Sequence, residues 1–278
     1  MLTREGASAG ALARFGGSGS ALHWIWGAAI KHLRGTPYEA KKLFRLLGGN
    51  QQMTDVFAAR LKPRLRLGSP VTRLEHSGTG VRVTYQRMGQ PATLEADYLV
   101  VAISLAVLRQ IPVAPAWPED KNFVIQDMPY TTKTRVIFQS RSRFWETDRI
   151  SPNWSPSDPK LNELWAMAEE VKTPRGILVG GSQPGVTGAA SLATFLKLYA
   201  GKSADIESVV QHEWAKDQWA GMCERNTYRP GELTRFWPEA SRPVGRVHFA
   251  GAYAAQMSWG MEAALESAHR TAQAIAVA

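Results

Sequence analysis

The apolar positions change period several times along the chain, and each change marks an element. Residues 21–47 read as helix. Gly48 and Gly49 interrupt that pattern, and Met53, Val56, Phe57 and Leu61 follow at helical spacing, so QQMTDVFAARL is expected to form an amphipathic helix. Period-two segments come next: PVTRLEH, then VRVTYQRMG, joined by a turn to ATLEADYLVVAI. The end of that stretch, LVVAI, is uninterruptedly apolar, the pattern of a strand buried on both faces. TRVIFQ and residues 177–181 read as two further strands. Ser203, with Asp205 and Glu207 behind it, reads as the N-cap of a helix running to Trp219. RPGELTRFWPEASRPVG reads as a loop, and the chain closes with strand RVHFAG and helix MEAALESAHRTAQAIA.

The α/β texture of residues 42–111 and 240–278 brackets a middle, 112–239, that is richer in Pro and Trp. Two domains are therefore expected, one of them assembled from discontinuous segments. Residues 1–20, rich in Gly, Ala and Ser, read as loose chain or as part of something larger. Composition adds limits. A chain of 278 residues, 44% apolar and with ten Trp, can bury a substantial core. Its formal charge is +9, but the basic residues are scattered and no zinc-ligand or RNA-binding signature accompanies them. That pattern fits a solvated basic surface that draws in anionic ligands, not a nucleic-acid interface. The single cysteine, Cys223, excludes an internal disulfide framework and a Cys-rich metal site. No run approaches the roughly 18 apolar residues of a membrane span, and residues 1–15 lack a signal-peptide core. A cytoplasmic protein is the resulting expectation.

Several stretches coincide with one family. GGNQQMTDVFAARL, PVTRL, ADYLVVAISLAVL, a strand leading to FW at 144–145, EWAKDQWAG, RPGEL and VHFAGAYAAQ…ME occur in the order found in flavin-dependent amine oxidases. From about residue 42 to its end the chain resembles the C-terminal part of that family, the L-amino-acid oxidase branch in particular. The resemblance implies an α/β fold, mixed with α+β features. A partial FAD-binding, Rossmann-like domain would be built from 42–111 and 240–278, and a substrate-binding domain from 1–41 and 112–239. It implies FAD as cofactor and an amine or L-amino acid as small-molecule substrate. The C–N bond would be oxidised to an imine, with oxygen as acceptor and hydrogen peroxide released.

Site residues follow from the same resemblance. The helix opening at Met261 would turn its N-terminus to the flavin pyrimidine edge, where charge appears on reduction. Gly251, lacking a Cβ, would let the backbone approach the cofactor. Gly48 and Gly49 would pass beside it, or simply start a helix. Val71 would offer its backbone to the adenine, or be plain core. Trp214 and Trp219 would pack by the flavin, and Gln256 would line its site. Cys223 falls where monoamine oxidases attach flavin covalently, whereas amino-acid oxidases generally do without that bond. Glu224 would face the substrate and favour a cationic or polar group, or lie on the rim in water. The six His are dispersed; His248 and His269 read as structural.

Four departures stand beside these matches. No strand precedes GASAGALARFGGSGS, so the GxGxxG unit that holds the ADP half of FAD is not in this sequence. The chain is then expected to be a fragment, a processed subunit or one member of an oligomer or partnership, holding FAD poorly alone. Ala252 stands where the family commonly has an acid. Arg135 stands where many members carry a lysine, with Lys133 two residues away. An arginine serves as a cation for water or a carboxylate, or as a surface charge, but not as a base. Trp259 and Gly260 reverse the Gly-aromatic order of the substrate cage, which widens the pocket if Gly260 faces the substrate. Two other readings remain open: another two-domain flavoprotein of desaturase or porphyrinogen-oxidase type, and a truncated, non-catalytic homologue or subunit.

Overall fold

A computed structural model of the chain describes residues 20–33, 46–132, 134–155, 158–221, 223–224, 228–256 and 260–278. The chain divides into two compact units, Met1–Met128 with Asn226–Ala278, and Pro129–Arg225. Within the first unit, helix α1 covers Ala21–Leu33. The longer helix expected to residue 47 is not formed at its end: Leu46 and Leu47 sit in the turn that leads to Gly48, and 34–45 lie outside the described residues. Helix α2, Gln51–Leu61, follows as its periodicity predicts, yet none of its residues is buried. Strands β1 (Val71–His76), β2 (Val81–Arg87) and β3 (Gln90–Ala96) form an antiparallel meander. The β2–β3 hairpin closes through Met88 and Gly89, both at positive φ, the backbone a two-residue hairpin loop demands.

Strand β4, Leu99–Val101, corrects the expectation of a fully buried LVVAI strand. Val101 is buried, but Val100 and Ile103 are 41% and 40% exposed. Among the described residues β4 pairs only with one later strand, so its other edge is unpaired, and the exposure of Val100 shows that one face lacks cover as well. The short helix α3 (Leu105–Leu108), capped by the Ser104 hydroxyl, leads to β5 (Val113–Ala114) and to α4 (Glu119–Asp127).

The second unit opens with β6 (Tyr130–Thr131) and is built on a four-stranded antiparallel sheet. Its strands are β7 (Thr134–Ser140), β8 (Glu163–Met167), β9 (Gly176–Ser182) and β10 (Ile206–Glu213), in spatial order β10-β7-β9-β8. Phe144 and Trp145 open a helical turn, α5 (Phe144–Thr147), after β7. Helix α6, Gly188–Leu198, is capped by Thr187 and buries Phe195 against Phe138 at 4.5 Å between ring centroids. One sheet face thus forms a core of Val136, Phe138, Leu164 and Leu178 with Phe195 and Tyr199. The alternate residues are only half-buried. Strand β10 replaces the helix expected from Ser203. The Ser and Asp there make a single tight turn, Ser203–Asp205, whereas Ile206, Val209 and Val210 suit a strand and pair along the whole of β7. Strand β11, Cys223–Glu224, pairs with β6.

The first unit resumes with α7, Glu232–Ser241, where the sequence reads as loop. Pro238 suggests a break, but Leu233, Phe236 and Ala240 share a buried face, and the Glu232 carboxylate accepts the Arg229 N–H at 2.6 Å. Burial of that stripe outweighs the one backbone bond a proline removes. Strand β12, Val247–Phe249, pairs in parallel with β4, and helix α8, Met261–Ala276, ends the chain as expected. No helix among the described residues is long and apolar enough to cross a membrane.

Lys121 ties α4, α7 and β12 together. Its side chain is 1% exposed, donates to the Glu239 carbonyl, lies 3.7 Å from Glu239 Oε1 and sits 4.1 Å over the Phe249 ring. Burial pushes its ammonium down to about 8, against the pull of Glu239 and with the help of Arg242. The folded value lies below the unfolded one, so the unfolded chain holds the proton more tightly. Stability is therefore expected to be flat below about pH 8 and to climb as pH rises toward 10, by up to about 3 kcal/mol. Urea midpoints at pH 7.5 and 9.5 check this: wild type should gain with pH relative to Lys121→Met, and parallel pH profiles would show the lysine to be uninvolved.

Candidate functional site

Residues 250–256, which follow β12, hold only one helical turn, so their backbone groups need partners. Several come from one face of α8, and the others from that turn itself, from Val101 and from Trp237. The Ser267 hydroxyl accepts the Gly251 N–H at 2.8 Å and faces the Gly251 and Ala264 carbonyls, each 2.9 Å away. Thr271 donates to the Phe249 carbonyl at 3.2 Å, and Arg270 to that of Ala254 at 2.5 Å. Glu266 accepts the Gln256 N–H at 3.1 Å and the Arg270 Nε–H at 3.2 Å. The Trp237 indole donates to the Ala255 carbonyl at 3.1 Å. The turn is thereby rigidly held by Glu266, Ser267, Arg270 and Thr271, which recur at helical spacing.

Gly251 has φ 150°, and a Cβ there would lie 2.7 Å from the Tyr253 ring, whose hydroxyl donates to the Val101 carbonyl. Glycine is thus required by the fold itself. Ala252 begins a helical turn, Ala252–Ala254, and packs against Ala255 and Ala263. Gln256 is exposed. Gly260, at φ 100°, precedes α8, and Met261 at its first position is 51% exposed. A Cβ on Gly260 would meet nothing within 4 Å. The first N–H groups of a helix have no partner within it and carry its positive end, so this 16-residue helix presents a positive terminus at exposed Gly260 and Met261, partly offset by Glu262 in its first turn. Trp259 lies outside the described residues.

The remaining expected residues sit on other elements. Gly48 and Gly49 form the turn before α2, with the Gly49 N–H on the Leu46 carbonyl at 2.9 Å; a Cβ on Gly48 would collide with Gln52. Val71 starts β1 and is 36% exposed, beside a bulge in the β1–β2 register. In the second unit, Arg135 lies on the half-buried face of β7, bonded to Glu163 at 2.5 Å. His212 is its register partner on β10 and meets the Trp214 ring at 4.3 Å, so Arg135 and Trp214 gather at one end of this sheet. Trp214 and Trp219 are 40% and 61% exposed. Asp217 shapes their loop by accepting the Trp219 and Ala220 N–H groups, which hold its carboxyl below the usual range. Glu224 and Cys223 lie on β11; their side chains, and Lys133, are outside the described residues. His248 packs edge-on against Tyr98, and burial pushes its imidazolium down.

The supports on α8 escape a motif search, although buried Ser267 and Thr271, four residues apart in an Ala-rich helix, are a legible sign of polar groups turned inward. Glu163 has no such sign, because its relation to Arg135 runs across an intervening strand.

Comparison with known proteins identifies the family. The chain is 24% identical over 247 residues to an L-amino-acid oxidase of Pseudechis australis, covering 82% of this chain and 47% of that protein. It is 25% identical to a flavin-dependent L-tryptophan oxidase of Lentzea aerocolonigenes, over 84% of this chain and 53% of that one. It spans about half the length of the curated relatives it matches. Among solved structures, cyclohexylamine oxidase from Brevibacterium oxydans shares the fold with a TM-score of 0.77 at 24% identity, over 93% of this chain and 60% of that one. Putrescine oxidase follows at 0.73 and 19%, over 83% and 53%. The model of the flavin containing amine oxidoreductases matches residues 9–276, and the chain belongs to that family.

Proposed function

We propose that the chain carries part of an FAD-dependent oxidase that converts an amine or L-amino acid to its imine and releases hydrogen peroxide. One observation carries this reading: the open N-terminus of α8, behind a turn that the helix itself holds in place. Its residues fit a flavin. The exposed backbone at Gly260 and Met261 offers positive potential without a titrating side chain, which suits the pyrimidine edge of the ring. Bound FAD supplies the two-electron acceptor for C–N oxidation and returns the electrons to oxygen. The protein residues orient and exclude. Gly251, Ala252 and Gln256 would shape the wall next to that helix, with Gly48, Gly49 and Val71 serving the rest of the cofactor.

Arg135 and Glu224 are the proposed substrate lining, where their charges would select the substrate, while Trp214 and Trp219 would pack by the flavin and restrict water. Neither a nucleophile nor a strong base is needed, because a neutral amine held in orientation is the reactive form.

The protein, mixed with FAD and with a chain that supplies the GxGxxG unit and then freed of excess cofactor, is expected to retain the visible flavin spectrum and to yield peroxide with a panel of amines and amino acids. A colourless protein after that treatment sinks the proposal. Ser267→Ala is expected to lower stability by about 1–3 kcal/mol, since it strips the Gly251 N–H of its partner and leaves the Gly251 carbonyl only the Ala254 N–H. It should also weaken FAD retention, read by equilibrium dialysis. His269→Ala, on the exposed side of the same helix, should change neither. Equal FAD retention in the two variants would show that the turn does not serve the cofactor.

A further inference from the structure

The half-buried face of the four-stranded sheet has a definite order. His212, Arg135, Gly181 and Glu163 lie in register across β10, β7, β9 and β8. The next row is apolar: Val210, Ile137, Val179 and Trp165. Arg135 and Glu163 are therefore not on neighbouring strands. Their 2.5 Å bond spans β9, passing over Gly181, and the guanidinium lies 5.1 Å from the Trp165 ring centroid. A Cβ on Gly181 would stand 2.5 Å from Glu163 Oε1 and 2.9 Å from its Cγ. Glycine at this position opens the path by which the carboxylate reaches Arg135. The two side chains remain 33% and 29% exposed, so the pair faces accessible space.

The pair changes what the face can bind. An arginine alone beside an apolar row is a receptor for a carboxylate with an apolar body. With Glu163 on it, the pair has no net charge, and an incoming carboxylate meets repulsion of the same order as the attraction. We propose that Glu163, reaching Arg135 over Gly181, is a specificity-determining residue that closes this face to carboxylates, so that the substrate is an amine with an uncharged apolar body and not an α-amino acid. The substrate half of this statement rests on the oxidase reading above; the exclusion of carboxylates does not.

Two measurements test it. Benzoate is titrated against the tryptophan fluorescence of the wild type, Glu163→Gln and Gly181→Ala. Both variants are expected to bind benzoate roughly tenfold or more tightly than wild type, as removal or displacement of one adjacent negative charge predicts. Arg135→Met added to Glu163→Gln should abolish the gain. Should Gly181→Ala fail to fold, the near-isosteric Glu163→Gln decides alone. With FAD-loaded protein, phenethylamine should be oxidised in preference to L-phenylalanine, and Glu163→Gln should move that ratio roughly tenfold or more toward the amino acid. Wild type that binds benzoate as tightly as Glu163→Gln, or that prefers L-phenylalanine, overturns the proposal. Protein that oxidises neither compound nor any member of the amine and amino-acid panel refutes the oxidase reading, and the benzoate comparison then still decides the role of Glu163.

Discussion

A hydroxyl that serves both backbone groups of one residue governs the first unit. Between a parallel strand and a helix the chain must turn through several residues, and each carries a donor and an acceptor that the sheet no longer satisfies. Ser267, fully buried, accepts the Gly251 N–H and faces its carbonyl. Thr271, Arg270 and Glu266 continue the work along the same face of the helix. The helix therefore acts as the template on which the turn is laid. Its own N-terminus is brought to the same place, next to Gly260. Fold and candidate site are in this sense one construction: the groups that satisfy the turn are those that fix where the positive end of the helix lies.

The second unit solves a different problem with the same economy of parts. A sheet with one face packed by Phe195 and Tyr199 leaves its other face to be defined by alternate residues. On strands β7, β8 and β9 those residues are mostly apolar, with charge confined to a single row. Absence of a side chain is what organises that row. The glycine between two charged strands allows a contact that strand geometry otherwise prevents, because side chains two strands apart are separated by about 10 Å of backbone spacing. Packing and electrostatics meet at one missing methyl group.

Much of this was legible in the sequence, and the failures have physical causes. The final helix was readable because its 3.6-residue period is unbroken from Met261 and a glycine precedes it. The hairpin was readable from Met88-Gly89 between alternating segments. Residues 206–213 misled because Ser203, Asp205 and Glu207 imitate a helix start, while the evidence for a strand lies in its partner, β7, some seventy residues earlier. Residues 232–241 misled because a proline outweighed a short apolar stripe. LVVAI was read as buried from its composition, but burial is a property of what covers a strand, and Val100 and Ile103 lack cover among the described residues. Of the candidate site, the small residues and the helix start were visible as motifs. The Arg135–Glu163 relation was not, since it depends on register across a third strand.

Lys121 separates two properties that usually travel together. A lysine with lowered basicity is normally the one that reacts, because more of it is present as free amine near neutral pH. Here the burial that lowers its basicity also encloses the nitrogen between the Phe249 ring and Glu239. Acylating reagents that modify the surface lysines of the folded chain have no path to it. Its modification would report the opening of the packing between α4, α7 and β12, which makes a single buried amine a chemical clock for the breathing of the unit that carries the helix terminus.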